Sequence, residues 1–180
     1  MASLIDRMIR ASKLDVSVYE EVEADKGAMG QAAAVVVLSS VAAGIGSLGV
    51  FGIEGLIFTT IGALIGWLIW AFLTFIIGTK LLPEPETKTD MGEMLRTIGF
   101  SSSPGVLRIL GIIPVAGPII SFVVGIWMLV AMIIAVRQAL DYKSTWRAVG
   151  VAIIGFIIYF VIMYFILTII GVNPAGEPTA

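Results

Sequence analysis

Long apolar runs broken by short polar stretches fill the sequence from Ala28 to Gly171. A bilayer core about 30 Å thick is crossed by roughly 20 residues of helix. Five stretches meet or approach that length, at about 28–48, 55–77, 94–113, 115–136 and 148–171. In hydrocarbon the backbone amides find no water, so each run is expected to satisfy them internally as a helix. Composition agrees: 58% of residues are hydrophobic and 13% charged, where soluble domains carry about a quarter charged. The expected fold class is therefore all-α, a polytopic transmembrane bundle of five helices with a short amphipathic N-terminal helix.

The third run is the weak one, because Ser101, Ser102, Ser103, Pro104 and Arg108 interrupt it. A central Arg costs about 2.5–3.5 kcal/mol, whereas each Leu, Ile, Val or Phe returns only about 0.3–0.6. The serines and the proline bring the balance near zero, so the segment is expected to insert with help from neighbours or to form a bent, partly re-entrant element. Charge distribution bears on this. With five crossings, Arg7, Arg10, Lys13, Lys26, Lys80, Lys88, Arg96, Arg137, Lys143 and Arg147 all fall on the amino-terminal side. That is the positive-inside pattern, with a cytoplasmic amino terminus and a non-cytoplasmic carboxyl terminus. Four crossings would place the basic 137–147 loop outside.

Residues 1–27 read as a cytoplasmic leader. Leu4, Ile5, Met8 and Ile9 share one helical face amid Asp6, Arg7, Arg10 and Lys13, so 2–13 is expected to be an amphipathic helix lying on the leaflet or packed on the bundle. Ser17 with Glu20 three residues on suggests a capping box opening a second short helix over 18–24. The first apolar run follows an acidic stretch and exceeds a cleavable h-region, so the leader is expected to be retained. Residues 81–91, with Pro83 and Pro85, read as a polar loop, and 172–180 as a short tail. No internal repeat stands out.

The chain has no Cys and no His. That removes disulfides, thiolate nucleophiles, imidazole bases and the usual ligands of zinc, copper or haem, so no catalytic residue, cofactor or metal is expected. A net charge of −2 gives no basic face for nucleic acid. The expected partners are the lipid bilayer and other membrane proteins or a second copy.

Four features are candidates for structural or functional work. Arg108 sits inside a span, where an ionisable group needs a partner, a cavity or the interface. Its candidate partner is Glu54, near the turn after the first span, with snorkelling to headgroups as the alternative. The Ser101–Pro104 cluster either lines a polar site or kinks the helix. Gly62 and Gly66 form a small-xxx-small pair, as do Ala131 and Ala135, suited to packing within the bundle or to a dimer face. Trp67, Trp70 and Trp127 read as packing residues.

Several motifs also point to a family. Ile98-Gly99-Phe100-Ser101-Ser102-Ser103-Pro104-Gly105, Gly111-Ile112-Ile113-Pro114, Ile126-Trp127 and Ala135-Val136-Arg137-Gln138-Ala139-Leu140-Asp141-Tyr142 resemble the prokaryotic branch of the Yip domain family of membrane proteins. Ile77-Gly78-Thr79-Lys80-Leu81-Leu82 and the 17–25 leader segment are similar to it too. The resemblance implies a five-helix bundle with a cytoplasmic amino terminus. Eukaryotic members are associated with Rab GTPases and membrane traffic, but this chain departs from them in its short stretch before the first span, and a prokaryotic setting offers no Rab. The expected function is a non-enzymatic scaffold or accessory subunit that organises membrane components. The competing reading is a small permease or channel for an anion or polar solute.

Overall fold

The computed structural model describes residues 2–169, apart from the side chains of 49–51, 55, 163, 166 and 167. The end of the fifth expected span and the 172–180 tail lie outside the described residues. Seven α-helices occur among the described residues: α1 Leu4–Ser12, α2 Val16–Ala24, α3 Met29–Gly46, α4 Leu48–Ile76, α5 Met91–Ser101, α6 Ala116–Ala139 and α7 Thr145–Ile169. A 3-10 turn, Lys26–Ala28, leads into α3, and a longer 3-10 helix, Ser103–Ile112, continues α5. No strand occurs among the described residues. The stretches 26–46, 52–81, 116–139 and 145–162 are long and apolar enough to cross a membrane.

Helix α4 is two pieces, because Gly52 at φ 64° breaks its helical path. At its far end the chain widens into a π-helical turn over Ile77–Leu81. The carbonyls of Gly78 and Leu82 accept the Tyr142 hydroxyl at 3.1 and 2.7 Å. One phenol thus caps the end of α4 from the α6–α7 connection.

The third apolar run is broken where the serines and proline stand. α5 ends at Ser101, whose hydroxyl donates back to Ile98 O, and Ser103 donates to Phe100 O. Pro104 falls in the first turn of the 3-10 helix, where its missing N–H costs nothing. The two pieces nonetheless run the length of the bundle. Asp90, capping α5, follows the loop that pairs with 143–147, while Gly111 packs against Gly46 at the other end of α3. α3 can approach this segment so closely because side chains are missing: a Cβ at Gly99 would reach the Ala32 backbone, and one at Gly105 the Ser39 hydroxyl.

The leader is a helical hairpin docked on the bundle. Ala11, Val18, Tyr19 and Val22 are fully buried in one cluster with Ala32, Val35, Phe100 and Ala135. Of the apolar face expected on α1, Leu4 and Met8 pack against this cluster, whereas Ile5 and Ile9 remain 68% and 49% exposed. Arg7, expected among the polar flank, is buried instead. Its guanidinium donates to Glu21 at 2.9 Å, to Asp25 at 2.7 Å and to Gln31 at 2.9 Å, joining α1, α2 and α3. Arg10 adds bonds to Asp15 and Glu21. The expected Ser17–Glu20 capping box does not form. Asp15 caps α2 by accepting from Ser17 N–H at 3.0 Å, since a carboxylate two residues earlier reaches that donor first. The complete capping box is Asp90–Glu93, at the start of α5.

Side-chain bonds hold the loops at the leader end together. Gln138 donates to Glu20, Lys143 pairs with Glu86 at 2.7 Å and Arg147 with Glu84 at 3.0 Å. Large apolar side chains of α4, α6 and α7, including Phe58, Phe72, Phe122 and Phe160, face outward, as expected where lipid rather than water is the solvent.

Candidate functional site

A cavity of about 500 Å³ lies inside the bundle, walled by every helix from α3 to α7 and by the 3-10 helix. Its polar side comes from Ser39 and Ser40 on α3, Thr59 and Trp70 on α4, Ser101 and Ser102 at the α5 break, and Arg108. Its apolar side comes from Ala43, Ala63, Met128, Leu129, Met132 and Phe156. The break in the third run builds this wall. Because α5 stops at Ser101, the chain turns into the 3-10 helix and delivers Arg108 to the same space as the serines.

Arg108 Nε is buried and without a hydrogen-bond partner, and so is Trp70 Nε1. The guanidinium lies over Gly125 of α6, where an added Cβ would stand 3.6 Å from Nη2. No Asp or Glu lines the cavity. A guanidinium does not deprotonate in proteins, so its charge persists there. An unpaired cation in an apolar bundle is costly and calls for a counter-charge.

The expected pairing with Glu54 does not form. Glu54 is exposed near the start of α4, while Arg108 points into the bundle and makes no ion pair with a described residue. Arg108 is half-buried, with its Nε enclosed on the cavity wall. The serine–proline cluster divides: Ser101 and Ser102 line the cavity, whereas Ser103 and Pro104 are buried, Ser103 beside a second groove. It is thus both a helix break and a polar wall. Gly66 opens on the cavity, and Gly62 faces outward; a Cβ at either would meet nothing within 4 Å. Neither brings helices together within the bundle, whereas Ala131 and Ala135 are fully buried.

Ser39, Ser40, Trp70 and Gly125 were not expected here. Adjacent hydroxyls in the first apolar run were the available signal for the serines. Nothing local marks Gly125, whose part is to leave room for a side chain from another segment. Trp67 does pack, donating to Leu95 O at 3.0 Å. Trp127 donates to Ser12 O at 2.9 Å and tethers α1.

The second groove, about 510 Å³, lies between α1 and the bundle. Ile5, Ile9, Leu38, Val106 and Leu107 line it, with Trp127.

An all-helical bundle with several membrane-length apolar helices and an outward apolar surface is a multi-pass membrane protein. The chain belongs to the Yip1 domain family, whose family model matches residues 16–165. The match opens at the first residue of α2 and leaves α1 outside. The family is not known as one of enzymes. No curated protein and no solved structure matches the chain.

Proposed function

We propose that this protein is a non-enzymatic organiser of membrane components, a scaffold or accessory subunit in a prokaryotic cell membrane. The observation that carries the reading is the leader. Arg7 bonds it to Gln31 of α3 and Arg96 of α5 holds the end of α2, yet Ile5 and Ile9 stay exposed beside Leu38 and Leu107. A helix fixed so firmly, with an apolar edge directed outward, suits an interfacial contact with lipid and with a neighbouring membrane helix. Five crossings with the amino terminus in the cytoplasm accord with the third run extending from the loop end of the bundle to Gly46, and with the basic residues at the leader end.

Crosslinking tests the proposal cleanly, since the chain has no Cys. Ile9→Cys in native membranes is expected to give a discrete adduct with a second copy or another membrane protein. Native mass spectrometry of the gently solubilised protein should show the same companion. A monomer with no adduct and no co-purifying protein or lipid would count against the reading.

A second reading, a permease for an anion or polar solute, draws support from the cavity and Arg108. It requires liposome flux that Arg108→Ala reduces; leak equal to that of empty vesicles removes it.

A further inference from the structure

We propose that the cavity is a binding site for an oxyanion-headed amphiphile, with Arg108 as the anchoring cation. The reading depends on neither scaffold nor permease function.

Two buried donors without partners carry it, Arg108 Nε and Trp70 Nε1, and the hydroxyl-bearing Ser39 and Ser102 line the same space. Buried donors left without acceptors are rare and signal a missing partner. Here the partner must be an anion, because the persistent cation faces no carboxylate. A phosphate or phosphonate oxygen set matches the guanidinium fork, whose N–H groups donate to two oxygens side by side.

The apolar remainder of the wall says what the anion is attached to. Met128, Met132 and Ala63 would leave a bare inorganic ion poorly solvated, whereas they suit an acyl or isoprenoid chain. Methionines adapt to irregular apolar guests. Leu129 and Phe156, 39% and 37% exposed on the bundle's outside, also line the cavity, which therefore reaches the lipid-facing surface. The amphiphile enters from the bilayer headgroup first, and its chain trails past these two residues. A volume of about 500 Å³ accommodates the headgroup and the upper part of a chain.

The test uses the full chain, delipidated in an uncharged detergent and titrated separately with phosphatidic acid, phosphatidylcholine of the same chains, and inorganic phosphate. Tryptophan fluorescence reports on Trp70, and the thermal midpoint reports on binding, since a ligand of the native state stabilises it. Phosphatidic acid is expected to give a saturable fluorescence change and a raised midpoint, with no such response to phosphatidylcholine. Arg108→Gln is expected to weaken the response about tenfold or more. Gly125→Leu, which keeps the charge but fills the space beside the guanidinium, should do the same and decides the matter if Arg108→Gln does not fold. A response to inorganic phosphate as strong as that to phosphatidic acid would keep the oxyanion site and assign it to a soluble source. An equal response to phosphatidylcholine, silence with both anions, or affinity unchanged in both variants would overturn the proposal.

Discussion

Arg96 on α5 donates through Nε to the carbonyl of Val22 at 2.8 Å and through Nη2 to the carbonyl of Glu23. A side chain from the third apolar run thus caps the last turn of α2, where helix carbonyls have no partners of their own. The bond spans 74 residues and makes docking of the leader conditional on assembly of the bundle. Replacing Arg96 with Ala strips charged bonds from two buried carbonyls and is expected to cost about 2–3 kcal/mol. The leader should loosen first. Trypsin cleavage at Arg10 and Lys13 is expected to accelerate in detergent-solubilised Arg96→Ala, with slower cleavage near the bundle loops unchanged.

Arg7 is a different kind of clamp, because its partners are themselves ionised. Its hydrogen bond holds the Asp25 carboxyl below the usual range, and the hydrogen bond from Arg10 does the same for Glu21. A depressed carboxylate stabilises the fold fully above its ordinary value and stops doing so as pH falls through its folded value. The wild-type leader should therefore undock on acidification below about pH 4, and Arg7→Met should already be loose at neutral pH by about 3 kcal/mol. Thermal midpoints across an acid series check both, since an unchanged midpoint in the variant at neutral pH contradicts the clamp.

Glu23 works in the opposite sense. Burial raises it from 4.5 to about 7, helped by Asp141, Glu93 and Glu20 and opposed by Arg96. The native state then binds this proton more tightly than the unfolded chain, so stability declines as pH rises through that interval and stays lower above it. Glu23→Gln is expected to raise the thermal midpoint at alkaline pH while leaving it nearly unchanged near pH 4. A variant that tracks wild type at every pH would show that Glu23 does not titrate there.

Gly105 allows α3 to meet the 3-10 helix. An added Cβ would run into the Ser39 hydroxyl and stand 3.0 Å from Met128 Sδ. Gly105→Ala is expected to destabilise by about 1–3 kcal/mol through overpacking. Ser39→Gly in the same chain should recover part of that loss, and a double-mutant cycle with no coupling would show that the two positions do not share the contact.

Val115 sits at φ 66° in the turn before α6, a conformation unfavourable to a β-branched residue. Its side chain is 88% exposed, so little packing is lost on removing it. Val115→Gly is expected to stabilise the fold by up to about 1 kcal/mol, read as a raised thermal midpoint.

Much of this architecture was legible in the amino-acid order. Hydrocarbon solvates no backbone, so runs of about twenty apolar residues had to become helices, and α3, α4, α6 and α7 lie where such runs stand. The Ser101–Pro104 cluster marked either a kink or a polar wall, since proline removes a backbone donor and a serine, here Ser103, can bond back to the Phe100 carbonyl it frees. Partner choice did not follow. Arg7 looked like a solvated flank and is buried by carboxylates 14 and 18 residues away; Arg108 looked to Glu54 and turned toward Gly125. A charge in low dielectric takes whatever lowers its energy in three dimensions, and helix packing decides what that is. The length of apolar runs along the chain determined which segments enter the apolar phase, whereas only the packed bundle settled which polar groups meet there and left a cavity with two buried donors unsatisfied.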